Sequence, residues 1–327
     1  MMSSKPNNNI LSSQKNFVEN IKKKISATWA LKLSRSARDN ITAYAFLSPW
    51  IIGFLLFSGV PILACFGLSL TKWDLVGSPE FIKFQNYIEM FSADSTFWNT
   101  LKVTVIFTFF GVLISVSWAL FLASLLNMKA KGMRIFQFLY FIPAVMPSVV
   151  MAFIFQLMFN KEIGIINYML SLIGINGPNW LMDKNWVMPV VVFTCIYTFS
   201  TGQMMLTFSA ALKEVPLSLY EAANLDGAST MKKFWNITLP SISPIVFFNM
   251  IVSTVNLLNG SFSLIYPLTA GGPNDATNII GLDIYRNAFG TYRMGYSAAL
   301  STVLFVIVAI ISLAQFKASK KWVHYEE

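Results

Sequence analysis

Six long apolar stretches divide the chain, at about 43–70, 101–126, 135–159, 187–212, 242–264 and 297–316, and polar or basic segments separate them. A hydrocarbon core of about 30 Å needs about 20 apolar residues per helical crossing, with every backbone polar group paired inside the helix. Each stretch meets that length, so the pattern predicts an all-α integral membrane protein with six transmembrane helices. Pro49 and Pro61, with Gly53 and Gly59, predict a kink in the first span. Pro143 and Pro147 predict a break near the start of the third.

A polar interruption with internal order lies between the fourth and fifth spans, over 213–240. Ser218 and Glu221 have the spacing of a capping box, Ala222, Ala223 and Leu225 continue a short helix, and Gly227 offers the left-handed conformation that ends one. Residues 228–238 then predict a second, basic-faced helix, which Leu239-Pro240 turns into the bilayer. Small side chains at 222 and 223 permit close approach by a partner, and Glu221 and Asp226 offer acceptors to it. The pattern is that of a docking loop.

Composition narrows the class. At 327 residues, 55% hydrophobic and 12% charged, the chain is too apolar for a soluble domain. Of the 24 Lys and Arg, 17 fall in 1–40, 128–134, 213–240 and 317–327, and only six in 72–98, 160–185 and 265–296. The excess marks cytoplasmic segments, so both termini and the docking loop are expected inside. Charge spread by loop makes no single basic face, which excludes a nucleic-acid partner. The segment 1–40 reads either as an amphipathic helix on the inner leaflet, with Val18, Ile21, Ile25 and Trp29 on one face, or as a disordered basic tail. Residues 41–317 form the membrane domain and 318–327 a cytoplasmic tail.

Catalytic chemistry has no foothold. No Gly-x-x-x-x-Gly-Lys-Ser/Thr loop is present, and His324, the lone histidine, sits in the tail. Cys65 and Cys195 lie inside spans, with no cluster of ligands for a metal. The chain is read as a non-enzymatic component without a cofactor of its own.

The fifth span carries Asn249, Ser253, Asn256 and Gly260 at i, i+4, i+7 and i+11, one face of a helix. Polar groups facing lipid are costly, so the stripe faces either a substrate path or another helix, where Ser and Asn act as polar glue. Gln156, Tyr197, Thr198, Thr201, Gln203 and Asn259 are further candidates for such a path.

Taken together, these features resemble the permeases of carbohydrate-uptake ABC importers, the binding-protein-dependent transport inner membrane components. Besides the loop, the resemblance rests on Leu47-Ser48-Pro49 with Gly53-Phe54, Trp73-Asp74, Phe84 with Asn86-Tyr87, and Phe97-Trp98-Asn99. It extends to Leu268-Thr269-Ala270-Gly271-Gly272-Pro273 and to the stretch from Tyr285 through Ala299. The resemblance implies a type I ABC importer permease fold in the bacterial cytoplasmic (inner) membrane, multi-pass, paired with a second homologous permease. It implies two copies of a cytoplasmic ATPase, which hold ATP and Mg, and an extracytoplasmic solute-binding protein. It assigns Glu221, Ala222, Ala223, Asp226 and Gly227 to the coupling-helix contact with the ATPase. The cargo it implies is a saccharide. Neutral sugars suit the Asn/Ser stripe, similar permeases carry glycerol phosphate, and overall likeness points to an acidic, alginate-type oligosaccharide, with Lys102, Arg286 and Arg293 as outer attractants. The competing class is an ion-gradient-driven secondary transporter, which expects ionisable residues at mid-membrane.

Overall fold

A computed structural model describes residues 35–93, 96–128 and 132–324, with the side chains of 35–39, 200 and 201 outside the description. The amphipathic or disordered segment expected over residues 1–34 therefore lies outside the described residues. The chain divides after Ala64 into two units, taken separately here.

The first unit is helical. Helix α1 (Arg35–Phe54) runs through a π turn (Leu55–Gly59) into the start of α2 (Val60–Leu68), and the apolar helix is continuous from Asn40 to Leu68. Proline at 61 has no N–H for the carbonyl four residues back, and the Val60 N–H bonds instead to the Leu55 carbonyl. The expected proline kink thus takes the form of a π turn, not a break.

The second unit opens with a small antiparallel hairpin, β1 (Thr71–Lys72) and β2 (Glu80–Phe81), followed by α3 (Gln85–Met90). Helix α4 (Phe97–Leu126) is a single 30-residue helix at the centre of this unit. Its buried stripe, Thr100, Thr104, Thr108, Gly111, Ser115, Ala119 and Ala123, consists of small residues three or four apart. Small residues let backbones approach where lipid tails supply no hydrophobic driving force between helices. A Cβ at Gly111 would stand 2.7 Å from Leu257 Cδ1, which shows how closely α13 (Ser243–Asn259) lies.

The third apolar stretch is not one straight helix. It forms α5 (Met133–Val145) and α6 (Ser148–Met158), which meet at 107°. Met146 is extended, with ψ 142°, because a residue before proline is excluded from the helical region. A short outer helix, α7 (Ile165–Leu172), follows. The fourth stretch comprises α8 (Lys184–Cys195), a π turn (Ile196–Ser200) and α9 (Thr201–Glu214), and bends by 59°. Helices α9 and α13 are the main packing partners of α4.

The docking segment forms α10 (Leu217–Leu225), α11 (Thr230–Lys233), a π turn (Phe234–Thr238) and α12 (Leu239–Ser241). The turn into the bilayer falls at Ile242, not at Leu239-Pro240 as the sequence suggested, and measures 70°. Proline is tolerated in the first turn of a helix, so Pro240 starts α12 and Pro244 starts α13 without bending either.

The fifth crossing is also shorter than its apolar run. Helix α13 ends at Asn259, and α14 (Phe262–Thr269) is a separate short helix packed on α6. After α15 (Ile280–Tyr285) and a π turn (Arg286–Gly290), α16 (Met294–Ser319) makes the last long helix. Three continuous helices, together with three bent pairs, give up to six crossings among the described residues.

Candidate docking loop and polar path

Helix α10 begins two residues earlier than the capping-box reading requires. Pro216, at φ −59°, is the N-cap, and Ser218 lies inside the first turn without a capping bond. Proline's locked φ presets entry into the helix, so the Ser218–Glu221 box does not form. The end of the helix follows the sequence reading. Gly227 sits at φ +70°, its N–H bonds to the Asn224 carbonyl, and the Ala228 N–H bonds to the Ala223 carbonyl. This is a Schellman closure, which glycine permits without a Cβ clash.

One side of α10 is fastened and the other is free. The Tyr220 hydroxyl lies 2.8 Å from Thr238 Oγ1, and Lys233 Nζ donates to Asn224 Oδ1 at 2.7 Å. Behind them Asn127 and Ser209 exchange bonds of 3.2 and 2.8 Å, which tie the inner end of α4 to α9. On the free side Glu221, Ala222, Asp226 and Gly227 are exposed, Ala223 is half-buried, and Leu225 is 90% exposed. Among the described residues neither Glu221 nor Asp226 has an ion-pair partner. A short rigid helix therefore presents two carboxylates and a leucine on a braced base.

The polar stripe of α13 is divided by its neighbours. Asn249 is 3% exposed and exchanges hydrogen bonds with the Thr207 hydroxyl of α9, at 3.0 and 3.2 Å, so it acts here as a helix-to-helix link. Ser253 is equally buried, and its hydroxyl has no partner. Toward the far end of the same face Asn256, Asn259 and Gly260 are exposed. A Cβ at Gly260 would stand 2.9 Å from the Asn256 carbonyl oxygen, so the break between α13 and α14 requires glycine.

The second-tier residues scatter. Tyr197 is half-buried among Phe155 and Phe193, stacked on the latter at 22°. Thr198 is buried with an unpartnered hydroxyl, Gln203 is exposed, and the side chain of Thr201 lies outside the described residues. Gln156 is exposed on α6 and lines an outer cleft. Ser148 Oγ donates to Ser263 Oγ at 3.0 Å, joining the start of α6 to α14 beside the open end of the stripe.

Two of the three cations expected to attract an acidic cargo are already paired. Arg286 Nη1 bonds Asp275 at 3.0 Å and its other nitrogen meets the Ala270 carbonyl, while Arg293 grips both oxygens of Glu89 at 2.6 and 2.7 Å and covers the Tyr296 ring. Beside Arg286, Asp283 is 5% exposed with one oxygen unpartnered, and burial pushes its carboxyl above the usual range. The nearby Asp275 pushes the same way, and Arg286 and a bond from Asn287 pull against it. His324 keeps an exposed side chain, but its backbone N–H donates to Ser243 Oγ at 2.9 Å, so the chain at residue 324 is held against the start of α13.

Sequence reasoning missed the hydroxyls of α4. Thr104 Oγ1 accepts the Ile280 N–H at 2.9 Å and so caps α15, and the four-residue spacing of Thr100, Thr104 and Thr108 was the signal available for it.

Comparison with known proteins identifies the family. The model of the binding-protein-dependent transport system inner membrane component family matches residues 111–321. The probable ABC transporter permease protein YesP of Bacillus subtilis is 39% identical over 302 residues, covering 91% of this chain and 96% of that protein. The trehalose/maltose transport system permease protein MalF of Thermococcus litoralis is 32% identical over 285 residues, covering 86% and 95%. One chain in the crystal structure of a bacterial ABC transporter involved in the import of the acidic polysaccharide alginate shares the fold. Its TM-score is 0.75 at 23% identity, with 88% of this chain and 98% of that one covered. The chain belongs to the binding-protein-dependent transport system inner membrane components, the permease subunits of ABC importers.

Proposed function

We propose that this chain is one of two permease subunits in an ATP-driven importer that moves an oligosaccharide from an extracytoplasmic binding protein into the cytoplasm. The observation that carries the reading is α10, whose exposed Glu221, Ala222, Asp226 and Gly227 stand on a base braced by Tyr220 and Asn224. Two copies of a partner ATPase close on ATP, one of them against α10. Because α10 is hydrogen-bonded to the π turn leading into α13, its displacement moves α13 and, through Asn249 and Thr207, α9. That motion exchanges outward-open for inward-open arrangements. Residues 41–317 form the permease domain and both termini lie in the cytoplasm.

Within the membrane the path runs along the open part of the α13 stripe, Asn256, Asn259 and Gly260, with Gln156 beyond it, and Asn249 and Ser253 become available as α9 moves. Side-chain amides both donate and accept, which suits sugar hydroxyls. The pairing of Arg286 and Arg293 favours a neutral saccharide. For an acidic alginate-type cargo the support is likeness of fold alone. The experiment is gentle extraction of the tagged chain from its native membrane, with mass spectrometry of co-purifying proteins and retained carbohydrate. An ABC ATPase and a second permease are expected, and reproducible recovery of an active chain alone would overturn the assignment.

A further inference from the structure

Above the membrane path, a cleft of about 480 Å³ opens at the outer end of α6. It is lined by Phe153, Gln156 and Asn160, which share one face of α6 and its continuation, and by Lys161, Glu162 and Asn179. The loops that form its rims are fixed. The Asn167 amide nitrogen donates to the carbonyls of Lys161, at 3.1 Å, and Pro178, at 3.2 Å, while its oxygen accepts the Trp180 ring N–H at 2.6 Å. One side chain therefore ties the rim at 160–162 to the rim at 178–180. A Cβ at Gly164 would fall 2.2 Å from the Asn160 carbonyl oxygen, and one at Gly177 would fall 1.9 Å from Asn167 Oδ1, so both glycines are required by close approach. Trp180 in turn packs against Phe159 and Trp186, with ring centres 5.9 and 5.0 Å away. The cleft is built before any ligand arrives.

Its chemistry is that of a sugar site. Asn160 Oδ1 accepts the N–H groups of Glu162 and Ile163 at 2.9 and 3.1 Å, which leaves its amide nitrogen as a donor. Gln156 and Asn179 add amides, and the exposed ring of Phe153 offers an apolar platform. Lys161 and Glu162 cancel in charge, which fits a neutral pyranose better than a uronate. Position supports the assignment as well. Helix α6 is 11 residues long, so its cleft end stands about 16 Å from its start. That start is bonded to Ser263, next to the open stripe of α13.

We propose that this cleft is an outer saccharide subsite, which holds a neutral sugar unit between its release from the binding protein and its entry to the α13 stripe. The proposal rests on the sugar-import reading above. The test uses the full complex with its binding protein in proteoliposomes, offered labelled maltotetraose, an arabinotriose and an alginate trisaccharide. Gln156→Leu removes an exposed amide. Asn160→Asp keeps both turn-closing acceptor bonds, so the loop keeps its fold, and replaces the free donor with a carboxylate oxygen that adds one negative charge beside Lys161 and Glu162. For the neutral sugar transported, each variant is expected to raise KM about tenfold, the scale of one lost hydrogen bond, with a smaller fall in Vmax. Transport with parental KM in both variants overturns the subsite and leaves the importer intact. Weakened association of the binding protein with the sugar-free complex makes the cleft a protein contact and also overturns it. Failure to transport any of the three removes the sugar-import reading, and the subsite with it.

Discussion

Gly227 holds φ +70°, a region in which an L side chain costs about 1–2 kcal/mol. Its Cβ position is open, so the strain of a substitution there is conformational and not steric. Gly227→Val is expected to loosen the end of α10 and lower ATP-driven uptake roughly fivefold, the factor that 1 kcal/mol represents, while the protein still inserts. Glu221→Lys should reduce ATPase co-purification more strongly, because it reverses an exposed charge with no internal partner. At Asp283 burial raises the carboxyl's affinity for its proton in the folded chain. The folded state then binds more protons than the unfolded state, so its contribution to stability falls as pH rises through the raised value. Asp283→Asn removes that slope. Its thermal midpoint is expected at or above the parent's near neutral pH, with the difference shrinking as pH falls toward the ordinary carboxylate range, and a variant less stable at neutral pH would contradict the assignment.

Between elements, α4 and α13 approach closely at Gly111 and Leu257. Gly111→Leu overpacks this contact, a change that typically costs about 1–3 kcal/mol. Leu257→Ala in the same chain vacates the space, so the double variant should be more stable than Gly111→Leu alone in thermal unfolding. Additive losses would show that the two helices do not meet there. The same elements show what the sequence carries. The loop was legible because Glu221, Asp226 and Gly227 interrupt an apolar chain, and the helix–glycine–helix order survives in the fold, whereas Pro216, which sets the start of α10, was missed. The break at Met146-Pro147 was visible as a proline, but its 107° was not, since apolar residues continue on both sides. The end of α13 was overrun for the same reason, with Phe262 and Leu264 prolonging the apolar run past Gly260. Asn249 looked equivalent to Asn256 because periodicity identifies a face of one helix. Which part of that face a neighbour covers depends on Thr207, which is 42 residues away.

Across the whole molecule, the uneven distribution of Lys and Arg sets the expected orientation. Both native cysteines lie within helices, half-buried at 65 and buried at 195, so single added cysteines report cleanly. Ser218→Cys should react with an impermeant maleimide only from the cytoplasmic side, and Asn176→Cys only from the opposite side; the reverse result would invert the molecule and place the outer cleft inside. The orientation also bears on which force drives transport, because the proposed contact of α10 with an ATPase requires the loop on the cytoplasmic side. The most direct test is sugar uptake by the purified complex with its binding protein in sealed proteoliposomes, with ATP and Mg on the side bearing α10. Uptake that requires ATP, is lost with Glu221→Lys and is indifferent to proton or sodium gradients is the predicted result. Uptake without ATP, driven by an imposed ion gradient, would contradict the account and make the chain a secondary transporter.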